Sequence, residues 1–169
     1  MGQAHEPLAG CRIEAHFRHV TDREAIAELV QRTAFLLDEE RLDEWTSLFD
    51  EAGTYELTAY STEIRKWMTW WHADKATLGK TLKEVRQHVR DPARRRHVVG
   101  APMVELAGDD AGATAQFAIF RTTPDGQSSL YLVGRYEDRL VKRGGAWLYA
   151  AHKVIADTRM LDAFTHIPL

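Results

Sequence analysis

The sequence predicts an α+β domain: a strongly curved, mixed but mostly antiparallel sheet wrapped around helices near the N-terminus. Three observations predict it. Residues 126–157 (GQSSLYLVGRYEDRLVKRGGAWLYAAHKVIAD) form two long runs about a glycine turn, as in a β-hairpin. Helical periodicity is confined to the first half of the chain. From residue 97 onward the pattern is that of strands separated by Gly, Pro and Asp turns. Segregated helices and antiparallel strands are the α+β arrangement, and a bent sheet closing over helices makes a cone with a pocket at its open end.

Each element has a local reason. Thr21 and Glu24 form a capping box that opens a helix, with Ile26, Leu29, Val30, Thr33, Ala34 and Leu37 on one stripe and an end near residues 38–40. A second short helix is expected over 42–49, burying Leu42, Trp45, Leu48 and Phe49 and stopped by Gly53. Residues 54–60 (TYELTAY) and 64–71 (IRKWMTWW) read as strands from their β-branched and aromatic content. Asp74 caps a helix over 75–88 with Leu78, Leu82 and Val85 inward, and Pro92 excludes its continuation. A strand over 97–106 carries Pro102, which implies an edge or a bulge, and a second covers 113–122. In the hairpin, Tyr131, Val133, Arg135, Glu137, Arg139 and Val141 alternate with Leu130, Leu132, Gly134, Tyr136, Asp138 and Leu140. With apolar residues on both faces, something is expected to cover each. The tail 158–169, holding Met160, Leu161, Phe164 and Ile167, is expected to pack.

Bulk properties bound the function. With 169 residues the chain is read as one domain over 21–169, preceded by an N-terminal arm over 1–20. The 22 basic and 25 acidic residues give a net charge of −3, so no nucleic-acid partner is expected, and the run RDPARRR at 90–96 reads as a solvated loop or subunit contact. The single cysteine, Cys11, excludes an intramolecular disulfide, a cysteine-rich zinc site and a Rieske centre within this chain. The eight histidines fall in no HxxxH or similar ligand pattern, so no metal site is expected. There is no run of about 20 apolar residues and no secretory leader pattern, so no membrane partner is expected and the cytoplasm is the expected compartment.

Four stretches carry a resemblance: AFLLDEERLDEWTSLFDEAGTY (34–55), HADKATLGKTLKEVR (72–86), DPARRRHVVGAPMVE (91–105) and GRYEDRLVKRGGAWLYAAHKVIAD (134–157). In this order they resemble the β (small) subunit of aromatic-ring-hydroxylating dioxygenases, within the NTF2-like or SnoaL-like superfamily. The resemblance implies an NTF2-like cone that acts as a structural subunit. It implies a homotrimer scaffolding three catalytic α subunits, an α3β3 assembly. The Rieske [2Fe–2S] cluster and the mononuclear iron would belong to the partner α subunit, with no cofactor in this chain. Arg94, Arg95, Arg96, Arg135, Glu137, Arg139 and Phe164 are then interface candidates, with Asp138 also read as part of cross-strand ion pairing on the hairpin.

The alternative is a free-standing SnoaL-like dehydratase, isomerase or cyclase. In similar dehydratases an Asp ending the first helix and a His opening a strand are acid–base groups, and Asp38 and His97 occupy matching places. That pattern also wants a second His on the next strand, which 113–122 lacks, and a Tyr where Leu37 stands. A buried structural hydrogen bond between Asp38 and His97 is therefore the preferred reading. Tyr55, Trp67, Trp70 and His152 are pocket candidates through their aromatic or polar side chains.

Overall fold

The computed structural model describes residues 20–85, 91–160 and 167–169. The elements run α1 (Asp22–Asp38), α2 (Leu42–Ser47), β1 (Phe49–Ser61), β2 (Lys66–Asp74), α3 (Lys75–Val85), β3 (Arg94–Val99), β4 (Met103–Ala107), β5 (Asp110–Thr122), β6 (Ser128–Arg143) and β7 (Ala146–Ala156). The strands form one sheet in the order β2-β1-β7-β6-β5-β3, with β4 sharing the outer edge of β5. β1 and β7 pair in parallel and every other neighbour is antiparallel, so the sheet is mixed. α1 lies against β3, β4 and β7, while α3 backs β1 and β2. Among the described residues no helix is long and apolar enough to cross a membrane.

The local rules hold at α1. Thr21 caps it with both halves of the capping box present, and Ile26, Leu29, Val30, Thr33, Ala34, Leu36 and Leu37 are buried. Each large aliphatic side chain removed from water there contributes about 1.5–3 kcal/mol. The core continues through Trp45, Phe49, Tyr55, Leu78, Leu82, Ile119, Leu132, Tyr136 and Tyr149.

Several boundaries differ from the sequence expectation. The second helix ends at Ser47 rather than 49, because Phe49 is drawn into β1 opposite Tyr149 and the Tyr149 N–H donates to the Leu48 carbonyl at 2.9 Å. Gly53 is therefore not a helix stop. It sits in a bulge of β1, where the register with β7 slips between Phe49 and Thr54, and a Cβ there would lie 2.6 Å from the Tyr149 carbonyl oxygen. The expected strand over 97–106 is two strands. The Gly100 N–H still donates to Gln116 at 2.8 Å, but the chain then leaves β5 and rejoins it at Met103, beyond the donor-less Pro102. α3 is described to Val85, and its expected last turn, 86–88, lies outside the described residues.

The hairpin is not apolar on both sides throughout. Leu132, Tyr136 and Leu140 are buried on the inner face, whereas Glu137 and Arg139 on the outer face are exposed. One residue of β5 is opposed by two of β6 between Ile119 and Phe120, so Tyr131 is the extra residue. That bulge turns Leu130 outward beside Phe120. Exposed apolar surface gathers at this corner, on Val98, Phe120 and Leu130. In the tail Met160 is exposed, contrary to expectation, while Ile167 packs on the core and Leu169 is fully buried. Leu161 and Phe164 lie outside the described residues, as does the expected arm apart from Val20.

Candidate functional site

Helix α1 ends on Asp38 at the open end of the cone, and β3 begins beside it. The alternation of β3 sends Arg94, Arg96 and Val98 outward and leaves Arg95, His97 and Val99 less exposed. Asp38 accepts the His97 backbone N–H at 2.9 Å and meets His97 Nδ1 at 2.6 Å. The imidazole is 1% exposed and the carboxylate 8%. Two bonds to one carboxylate hold the ring in one orientation. The other ring nitrogen, Nε2, is buried and has no partner among the described residues.

This pair borders a cavity of about 500 Å³, lined also by Leu37, Glu40, Asp91, Arg94, Arg95, Ile167 and Pro168. Asp91 is engaged by Arg121 through two bonds of 2.6 and 2.7 Å, and those bonds hold its carboxyl below the usual carboxylate range. Arg96 bonds Glu39 at 2.9 Å and lies 3.9 Å from Asp38. Arg95 turns inward, its guanidinium carbon 4.9 Å from the centre of the Tyr131 ring, and its Nη1 is buried without a partner. The three arginines of the run thus divide: Arg94 and Arg96 lie on the surface and Arg95 enters the cone.

A second histidine–carboxylate pair lies deeper. His152 on β7 faces Asp138 on β6, with Nδ1 2.7 Å from Oδ1 and both side chains essentially inaccessible. Asp138 therefore takes no part in a surface ion pair. Arg135 bonds Glu137 within its own strand at 2.8 Å, and Lys153 approaches Glu56 across strands at 3.8 Å. Aromatic rings enclose His152, with Tyr136, Tyr149, Tyr55, Phe49 and Trp45 between 4.8 and 6.4 Å from it, centre to centre. Burial pushes the Asp138 carboxyl up, partly offset by His152, and pushes the Tyr136 and Tyr149 hydroxyls well up. The Tyr149 hydroxyl is bonded to Thr33 at 2.9 Å, whereas that of Tyr136 has no partner.

Of the pocket candidates, Tyr55 and His152 sit together in the core. Tyr55 is fully buried and its hydroxyl accepts the Leu169 N–H at 3.1 Å, so the tail occupies the cone beside it. Trp67 and Trp70 do not join them. Both are on β2 at the sheet edge, 56% and 36% exposed, and Trp67 packs edge-on against Tyr60. Among the described residues no group of three His, Cys, Asp or Glu side chains is arranged to hold a metal ion. Sequence reasoning missed Asp138 as the partner of His152. It also missed the inward turn of Arg95, which the alternation of β3 about His97 signals.

A SnoaL-like domain model matches residues 18–153. The chain is 28% identical to the β subunit of 2-aminobenzenesulfonate 2,3-dioxygenase from Alcaligenes sp., over 88% of this chain and 99% of that one. It is 28% identical to the β subunit of the methanesulfonate monooxygenase hydroxylase from Methylosulfonomonas methylovora, over 96% and 94%. Among solved structures, a β subunit ascribed to an aromatic-ring-hydroxylating dioxygenase of Novosphingobium aromaticivorans superposes with a TM-score of 0.74. It is 26% identical, over 82% of this chain and 90% of that one.

Proposed function

The chain belongs to the SnoaL-like domain family, and from that premise we propose that it is the structural β subunit of a Rieske non-haem iron aromatic-ring-hydroxylating dioxygenase. The observation that carries this reading is the end-to-end match to oxygenase β subunits, which spans nearly the whole of both partners. In this reading three copies associate and scaffold three catalytic α subunits. The Rieske cluster and the mononuclear iron reside in those α subunits, consistent with the single cysteine here. The substrate ring is oxidised in the α subunit, and this chain contributes assembly. The exposed apolar corner of Val98, Phe120 and Leu130, flanked by Arg94 and Arg96, is a surface suited to subunit contact. Arg135, Glu137 and Arg139 on the outer sheet face are further interface candidates, where paired charges set register and partner choice. Co-expression with a cognate Rieske α subunit tests this. The expected result is a stable complex with equal numbers of both chains and oxygenase activity that requires this chain. Two chains that elute separately would overturn it.

One specific observation favours a second reading, an acid–base enzyme using Asp38 and His97: the unpartnered Nε2 beside the cavity. It predicts an activity of the isolated chain that His97→Ala abolishes. The subunit reading predicts no such activity.

A further inference from the structure

The mouth of the cone contains a guanidinium nitrogen that has no hydrogen-bond partner among the described residues. An arginine side chain stays charged at any accessible pH, so a buried guanidinium nitrogen needs an acceptor. Leaving it without one costs on the order of 1–3 kcal/mol. Arg95 is in that position: Nη1 is buried without a partner, and the guanidinium rests on the face of Tyr131. Of the carboxylates in the lining, Asp91 is engaged by Arg121 through two bonds, Asp38 by His97 through its ring and its backbone, and Glu40 is engaged as well. The second unpartnered atom in the same lining is His97 Nε2, on a ring that is 1% exposed and oriented by Asp38. Arg95 and His97 stand two residues apart on one face of β3, about 7 Å along the strand. Both residues line the same cavity.

We propose that this cavity binds a small organic acid. Its carboxylate would lie on Arg95 and beside His97 Nε2, and its apolar body against Leu37, Ile167 and Pro168. A volume of about 500 Å³ accommodates a molecule of benzoate size. The fit of a planar guanidinium to a carboxylate explains why an arginine stands at this position. The site is contained in this chain and does not depend on whether the chain works as a subunit or alone.

Calorimetric titration of the full chain with benzoate and hexanoate, each beside its neutral amide, tests the proposal. The acids are expected to bind at one site per chain, at least tenfold tighter than the amides. Arg95→Gln is expected to weaken acid binding at least tenfold without changing the far-ultraviolet circular dichroism. Arg135→Gln, on the outer sheet face, is expected to leave it unchanged. Acids that bind no tighter than their amides would overturn the proposal without recourse to any variant. Acid binding that survives Arg95→Gln in a folded protein would overturn it as well.

Discussion

The two histidine–carboxylate pairs have nearly the same geometry and opposite surroundings. His97 meets Asp38 at 2.6 Å and His152 meets Asp138 at 2.7 Å, each through Nδ1. At the mouth, Asp38 also accepts a backbone N–H and lies near Arg96, and the pair borders a cavity. In the interior, Asp138 and His152 are enclosed by aromatic rings, and Asp138 Oδ2 has no partner. The carboxylate with neighbouring counter-charges orients an imidazole that borders a cavity. The enclosed pair sets the packing of the core, and both of its side chains are essentially inaccessible. Residue type and contact distance are shared, so the surroundings decide what each pair can do.

The largest effect that tests this contrast is expected in the interior. His152→Ala leaves Asp138 buried among rings with only the Lys153 backbone N–H beside it, at a cost of about 3–5 kcal/mol. The urea midpoint should fall accordingly, or the chain should fail to accumulate as folded protein. Replacing both members with apolar residues, His152→Phe with Asp138→Leu, should recover much of that loss, because no uncompensated charge remains. A His152→Ala protein within 1 kcal/mol of the parent, an outcome well below the range for a broken buried pair, would show that the interior pair is not structural.

Leu169→Ala should come next, at about 2–5 kcal/mol if the site cannot collapse, because that side chain is fully buried in the core beside Tyr55. At the mouth, Asp38→Ala should cost less, about 1–3 kcal/mol, because the freed His97 N–H and ring nitrogen lie next to a cavity that water can enter. Urea unfolding followed by tryptophan fluorescence measures all three. The order of the losses is the result that matters, since a larger loss at Asp38 than at His152 would reverse the assignment of roles.

The asymmetry between the pairs also explains what could be read in advance. Asp38 and His97 were legible because local pattern places both, Asp38 ending α1 and His97 in the first strand after Pro92. Asp138 was not, although strand alternation put it on the face of Tyr136 and Leu140. Its charge made it read as a surface residue, and counting back from the turn, where Arg143 faces Ala146, pairs it with Ala151. A bulge between Arg139 and Leu140 shifts that count by one and brings His152 opposite Asp138. The same limit hid the outward turn of Leu130 at the Tyr131 bulge. Parallel pairing of β1 with β7 joins residues 97 to 100 positions apart in sequence, such as Phe49 with Tyr149 and Thr54 with Ala151, which no local pattern encodes. Trp67 and Trp70 show a further limit: an aromatic side chain has the same propensity in a core strand and at a sheet edge, and only tertiary position separates them. The capping box and the α1 stripe depend on local spacing, and the structure has both.

The smallest effect is in the acid limb of stability, where two buried or half-buried carboxylates are shifted in opposite directions. The bonds from Arg121 hold Asp91 below its unfolded value of about 3.9. Its contribution is therefore fully present above about pH 4 and is lost as pH falls through the lower folded value. Burial moves Asp138 upward, so its contribution is present below about pH 4 and declines as pH rises through the higher folded value. Asp91→Asn should lower stability near neutrality by up to about 1 kcal/mol, the scale of a partly exposed ion pair. It should also flatten the fall in melting temperature between pH 5 and pH 3. Thermal melts across that range for the parent and Asp91→Asn measure it. An unchanged acid limb in Asp91→Asn would mean that the Asp91–Arg121 bridge contributes nothing to stability.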